Sequence, residues 1–429
     1  MNEADWVQDG WPRLALVRQQ FPPSPVLDIA ATLPSQLQPL LAGLKPGARV
    51  AVAVGSRGIT GLKTVVATAI DTLQRAGASP FVVPAMGSHG GGTSDGQLAL
   101  LAEYGVTTQA LGVPFLAGME VRAVGTTSHG LEVCLAEAAL QADGILIINR
   151  IKPHTDFSGG LGSGLFKMLV VGLGKAVGAA RYHAAASRWG YEPVLRAAAR
   201  LASSAASLLG GVAIVEDQRH QTASLTVVPP ADFERCEAAL CLQAKALMPR
   251  LPFDDLDLLI VDRLGKNISG TGMDPAVIGR SIHGYSLAPD PGHPPPRVRR
   301  LLVRDLTPES HGNAIGVGLA DFTTTRLVRA IDWKVTMLNS LTALSLQGAK
   351  LPIHFESDQE AIGRALKTLA LPAIHRAKVV RIADTLSLER FEASEAALET
   401  PAPGTVLTTE RAAATLSFDA TGNLHPCPE

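Results

Sequence analysis

Four side chains able to move protons or hold anions stand just after short aliphatic runs of this sequence. Arg57 follows "RVAVAV" (49–54), His89 follows "FVVPA" (81–85), and Lys152 and His154 follow "GILII" (144–148). A histidine titrates near neutrality and so exchanges protons with a bound molecule. Arg57 offers a planar fork for a carboxylate or phosphate, and Lys152 a point charge. Two imidazoles on opposite sides of one carbon, with cations to neutralise a neighbouring carboxylate, are what isomerisation beside an acid group requires. Taken singly, each has a blander reading. A loop histidine is more often a surface group or a satisfied hydrogen-bond partner, and Arg57 alone is an ordinary surface charge.

What must position them is a sheet. The run 49–54, the helical pattern "ITGLKTVVATAIDTLQRAG" and the run "FVVPA" read as strand, helix, strand. Continuous apolar strands at that spacing predict a parallel sheet covered on both faces. Ligands bind such sheets beyond the carboxyl ends of the strands, which places the three polar loops on one rim. "MGSHGGGTSDGQLALLAEYG" reads as a glycine-rich loop with Thr93, Ser94 or Asp95 capping a helix. A helical segment from about 176 to 209, strands in "GVAIVED" and "SLTVVPP" and a helix in "DFERCEAALCLQAKALM" complete a domain over 1–250. "PRLPFDD" (249–255) is the expected linker. The remainder, 256–429, restarts with "LDLLIVD" and alternates strands with helices. The fold class predicted is α/β: a larger N-terminal domain with a mostly parallel sheet covered by helices, and a smaller C-terminal α/β domain that closes the cleft.

Bulk composition agrees. A chain of 429 residues exceeds one ordinary core. Hydrophobic residues are 46% and aromatics only 4%, so the cores must be aliphatic. A formal net charge of -1, with no basic run interleaved with aromatics, argues against nucleic acid or anionic lipid as partners. "LASSAASLLGGVAIV" is 15 residues, short for a membrane span. "MNEADWVQDGWPRLALVRQQ" lacks the basic start and apolar stretch of a secretion signal, so a cytoplasmic location is expected. The 4 cysteines include no C-x-x-C pair and are too few for a disulfide framework.

Two glycine-rich segments admit more than one reading. "SGGLGSG" (158–164) permits close backbone approach to an anion at the start of a helix, yet lacks the Gly-Lys-Ser/Thr of a P-loop. "MLVVGLGKAVG" reads as a strand followed by G-x-G-x-x-x-G, with Glu192 about twenty residues on, or as a buried helix with glycines at close contacts. The spacing is one residue longer than the dinucleotide fingerprint, which favours the helix.

Taken together, "GSRGIT", "MGSHGG", "TSD", "PHTDFSGGLGS" and "GLGKAVGAARYH", in this order and at these separations, resemble the lactate racemase family that uses a nickel-pincer nucleotide. The likeness extends across nearly the whole chain. It implies an isomerase, a racemase or epimerase of a small 2-hydroxy acid, with nickel and the pincer nucleotide as cofactor. By the resemblance, His89 and His154 are the acid/base pair and His183, eleven residues after Gly172, is the imidazole that ligates nickel. Arg57 with Ser56, Lys152, and Ser158, Gly159 and Gly160 of the next loop are the expected cofactor contacts. Lys266 and Asn267, in "GKNISGTGMDP", stand where the family has its substrate-facing loop.

Two departures qualify this. The family anchors its pincer through a lysine two residues after the Gly-Gly, and that position is Gly162. On a continuous helix Lys167, five residues on, would stand roughly 140° off the anchor's face, so Lys152 is the preferred stand-in for its charge. Val54 stands where the family's first loop has an aspartate. The alternatives left open are a pincer held non-covalently or absent, a lyase or sugar-acid epimerase with a different cofactor, and a non-catalytic carboxylate-binding protein. "ESHGNAIGVGLADF", with His311 and Asp321, gains no role from the sequence, and neither the particular hydroxy acid nor the oligomeric state is legible.

Overall fold

The structure, a computed structural model, describes residues 10–25, 27–55, 58–153, 159–281 and 294–428. The chain divides into two compact units, one built from Pro23–His154 with Gly159–Met248, the other chiefly from Met1–Pro22 with Pro249–Glu429. The first strand, β1 (Arg13–Gln19), belongs to the second of these.

In the first unit, β2 (Arg49–Val54), β3 (Ser79–Pro84), β6 (Gly144–Arg150), β7 (Leu208–Glu216) and β8 (Thr222–Val228) form a five-stranded sheet in the order β3-β2-β6-β7-β8. A separate hairpin pairs β4 (Val121–Thr126) with β5 (Glu132–Ala136). β3, β2, β6 and β7 run parallel and β8 closes the edge antiparallel. Alternate side chains of the central strands feed two cores, as pleating requires. Ala51, Ala53, Ile145 and Ile147 pack on one side, and Val50, Val52, Leu146 and Ile148 on the other. The α/β class and the parallel sheet therefore stand as the aliphatic runs indicated.

The helical stretch expected over about 176–209 is two helices, Lys175–Trp189 and Tyr191–Ala205, separated at Gly190, whose φ of 87 no helix tolerates. Ahead of them lie a short helix, Leu165–Lys167, and a π-helical segment, Met168–Gly172. "GLGKAVG" is thus part of a helical stack and not a strand-to-helix dinucleotide turn. Its glycines serve close packing: a Cβ on Gly172 would stand 2.7 Å from the carbonyl oxygen of Ala85.

The second unit holds β1 with β9 (Asp255–Leu264), β10 (Arg297–Leu306), β11 (Phe322–Thr324), β12 (Ile353–Phe355), β13 (Val379–Ile382), β14 (Arg390–Ser394) and β15 (Leu407–Thr415). The order is β12-β11-β10-β9-β13-β14-β1-β15, parallel from β12 to β13 and antiparallel beyond. The expected boundary at 1–250 therefore fails at its start. β1 pairs with β14 and β15, Leu14 opposite Ser394 and Arg18 opposite Thr408. Its run of buried residues, Leu14 to Val17, needs a sheet on both sides, and the one that accepts it comes from the far end of the chain. The domain expected to be the smaller carries the wider sheet.

The unassigned segment around His311 and Asp321 serves this fold. The Asp321 carboxylate takes both terminal nitrogens of Arg280, at 2.9 and 2.7 Å, and the amide of Leu301 at 2.8 Å. His311 is exposed, at a φ of 47. Among the described residues no helix is long and apolar enough to cross a membrane.

Candidate functional site

Because β3, β2 and β6 are neighbours and parallel, the loops that leave their carboxyl ends lie side by side. These are the loops that carry Arg57, His89 and Lys152. Ser56, Arg57, His154 and Ser158 lie outside the described residues. The first loop is held by strand ends. The Arg150 guanidinium donates to Gly58 O at 3.0 Å and pairs with Glu216, while Glu216 accepts the amide of Thr60 at 2.9 Å. Tyr104 Oη accepts the amide of Gly58 at 3.1 Å. A cavity of about 360 Å³, lined by Gly58–Lys63 and Tyr104, opens beside it.

The His89 loop rests on a buried network. Gln97 and Lys175 are both 0% exposed. Lys175 Nζ donates to Pro84 O at 2.7 Å and to Gln97 Oε1 at 3.2 Å. The Gln97 amide in turn donates to Gly87 O at 2.9 Å and His89 O at 3.4 Å. Gly87 N reaches Gly172 O at 3.1 Å, so the loop is also stitched to the π-helical segment. Burial holds the Lys175 amine down to about 8, against a smaller opposing effect of Glu120. Thr93 caps the following helix, its Oγ1 accepting the amide of Gly96 at 3.1 Å, one of the three residues expected there.

Lys152 begins a closed loop. Its amide and carbonyl exchange bonds of 2.9 and 2.7 Å with Ser163, and Asn149 Nδ2 donates to Gly164 O at 3.0 Å. The glycine pair inside the loop is already engaged. Gly160 N donates to Glu192 Oε2 at 3.0 Å, and Gly159 O accepts Lys245 Nζ at 3.0 Å. That amide points at a carboxylate of the chain itself, so it is not open to a phosphate in this conformation. Below the loop, Glu237 is fully buried and accepts the amide of Phe166 at 2.9 Å, at the start of the helical stack. Burial pushes its carboxyl up to about 7 against the opposing pull of the Phe166 and Leu165 amides and Arg196.

His183 lies eight residues beyond Lys175 on the helix Lys175–Trp189, half-buried, with the rings of Tyr182 and Tyr191 edge-on at 5.5 and 6.2 Å. Burial, and then the positive charge of Lys167, hold its imidazole down to about 4. The sequence placed Lys167 on one helix continuous from Gly162. The helix begins only at Leu165, so the angle between positions 162 and 167 is not that of a continuous helix. Among the described residues no group of three or more His, Cys, Asp or Glu side chains is gathered for a metal.

In the second unit, Lys266 Nζ donates to Gly270 O of its own loop at 2.7 Å, and Asn267 Oδ1 accepts from Thr307 Oγ1 at 2.7 Å. Both side chains thus close the loop after β9. Sequence reasoning passed over Arg150, Glu216, Gln97, Lys175 and Glu237. The first two carry a signal, a charged residue ending a buried aliphatic strand; the others carry none, because burial of a charge is decided by distant chain.

With this geometry in view, the comparisons are specific. Residues 22–190 match the lactate racemase N-terminal domain family. This stretch is similar to a lactate racemase N-terminal domain. It contains β2, β3 and β6, the His89 loop, Lys167, Lys175 and His183. The fold is similar to that of the lactate racemase apoprotein from Thermoanaerobacterium thermosaccharolyticum, at 14% identity over 90% of this chain and 96% of that one, with a TM-score of 0.50. A protein from Thermotoga maritima aligns at 15% identity over 66% of this chain and 72% of its own, with a TM-score of 0.48. No curated protein matches by sequence. The matched stretch ends before β7, β8 and the helix that carries Glu237.

Proposed function

We propose that this chain is an isomerase, a racemase or epimerase of a small 2-hydroxy acid, that works with a nickel-pincer nucleotide. The observation that carries the reading is the match of residues 22–190 to the lactate racemase N-terminal domain family, a stretch that holds the half-buried His183. A metal ligand must be a neutral imidazole, and burial keeps His183 neutral far below its ordinary range. The donor set fits a metal that arrives with ligands of its own, since one imidazole and one amine do not chelate a bare ion. Lys167 is the amine we assign to the cofactor, in place of Lys152.

When bound, the cofactor would supply a reversible hydride acceptor for the α-carbon. The chain's own residues do the rest. His89 takes the hydroxyl proton from one side of the substrate and His154 from the other, each returning it when configuration is restored or inverted. Arg57 and Lys152 offset negative charge at the rim of the sheet. Ser56, Ser158 and the Gly159–Gly160 turn border the cofactor. For Gly160 this requires its amide to leave Glu192.

The test is to purify the chain from a host that makes the pincer nucleotide, and to measure nickel, intact mass and the interconversion of D- and L-2-hydroxy acids by chiral chromatography. We expect about one nickel per chain, lost in His183→Ala, and a covalent mass increase lost in Lys167→Ala. Interconversion at full rate by metal-free protein would overturn the reading.

A further inference from the structure

One helix of the second unit is turned inside out. The helix Trp333–Thr342 buries Thr336 and Ser340, at 0% and 3% exposure, while Leu338 and Leu341 are 66% and 61% exposed. A helix on the surface of a monomer does the reverse. The orientation is fastened by polar bonds. Thr336 Oγ1 donates to Gly312 O at 3.2 Å and accepts the amide of Ala314 at 3.0 Å. Ser340 Oγ donates to Ser345 O at 2.9 Å, and Asn313 Nδ2 donates to Asn339 Oδ1 at 3.0 Å. Rotating the leucines inward would break all four.

The apolar surface continues along the chain. Leu344 and Leu346 are exposed in the turn after the helix, and Ile353 is exposed on β12. β12 is the outer strand of the eight-stranded sheet, and no described strand pairs with its free edge.

We propose that the helix Trp333–Thr342 and β12 form the two-fold interface of a homodimer. Size, charge and symmetry select a second copy of this chain as the occupant. Eight large apolar side chains between residues 335 and 353 are 40% to 66% exposed, a number suited to the ~800 Å² that each partner contributes to a standard interface. Exposed apolar residues gathered in this way mark an interaction site, whereas singly scattered ones do not. Residues 335–353 contain a single charged side chain, Lys350, and the centre of a protein interface is depleted of charge in this way. A bilayer surface is disfavoured by the same count, because an interfacial helix pairs its apolar face with a cluster of basic residues. With a formal net charge of -1 two copies do not repel. A two-fold axis covers both patches at once and lets two β12 edges meet antiparallel, so the assembly closes at two.

The test is sedimentation velocity with light scattering on the full chain at micromolar concentration. The expected mass is twice the 44.8 kDa of one chain. Leu338→Glu with Leu341→Glu, and separately Leu346→Glu, should each give the monomer mass with an unchanged far-ultraviolet circular dichroism spectrum. Leu242→Glu, equally exposed but in the other unit, should leave the dimer intact. A wild-type monomer overturns the proposal, as does a dimer that survives both sets of changes. A monomer that co-sediments with phosphatidylcholine and phosphatidylserine vesicles also overturns it and assigns the patch to a membrane.

Discussion

Lys175 combines two unfavourable conditions, full burial and a backbone φ of 54. It is retained because Pro84 O and Gln97 Oε1 both take its amine, and through Gln97 it holds the carbonyls of Gly87 and His89. Lys175→Met keeps the aliphatic stem and strands those two oxygens, which should cost about 1–3 kcal/mol of stability by urea denaturation. Under the proposed function the same change should lower kcat more than it raises KM, because the loop that carries His89 loses its fixed support. Gln97→Leu should move kcat in the same direction. Should both variants leave kcat untouched, the network is structural only. At this scale the motifs single out His89 and His183 as candidates. It could not announce Lys175 or Gln97, because what makes them matter is the absence of water, supplied by strands and loops far away in the chain.

The helical stack from Leu165 to Trp189 depends on what meets its two ends. At its start the buried Glu237 accepts the Phe166 amide. The folded carboxyl titrates near 7 against 4.5 for the free side chain, so between those values the native state binds the extra proton. Stability from this group is complete below pH 4.5 and is lost as pH rises through 7. Glu237→Gln cannot ionise and still accepts the amide through its oxygen. Its melting temperature should therefore exceed that of the wild type at pH 8 and match or fall below it at pH 5; parallel curves across that range would contradict the buried, protonated carboxyl. Further along, Gly172→Ala drives a methyl group against Ala85 O and Met168 Sδ, both 2.7 Å from the added carbon. It should destabilise by about 1–3 kcal/mol, measured by denaturant titration, as overpacking does. Strand and helix order was legible here from aliphatic runs and 3.6-residue spacing. The π-helical segment was not, because it arises where Gly172 lets the segment close on the Ala85–Gly87 loop.

Across the whole molecule the first and last described strands, β1 and β15, lie in the same sheet, and this was the part least visible in the sequence. Periodicity finds β1 as a strand but says nothing about partners separated from it by most of the chain, so proximity along the sequence suggested the wrong unit. The tail is tied into that sheet as well. Leu424 N donates to Asp358 Oδ2 and Cys427 N to Asp262 Oδ2, at 2.9 and 2.8 Å, and Arg304 and Arg381 hold those buried carboxylates from the other side. Removing residues 1–22 would leave β14 and β15 without the strand between them, exposing two edges and the apolar side chains packed against Ala15 and Val17. The five-stranded sheet keeps all its strands in that truncation. Hydrogen exchange should then show lost amide protection in β14 and β15 while β2, β3 and β6 stay protected. A synthetic peptide of residues 10–22 should restore protection to β14, because the strand binds by pairing and burial and not by its position in the chain. Retained protection in β14 without the peptide would mean that the sheet is held by the tail and the buried ion network alone.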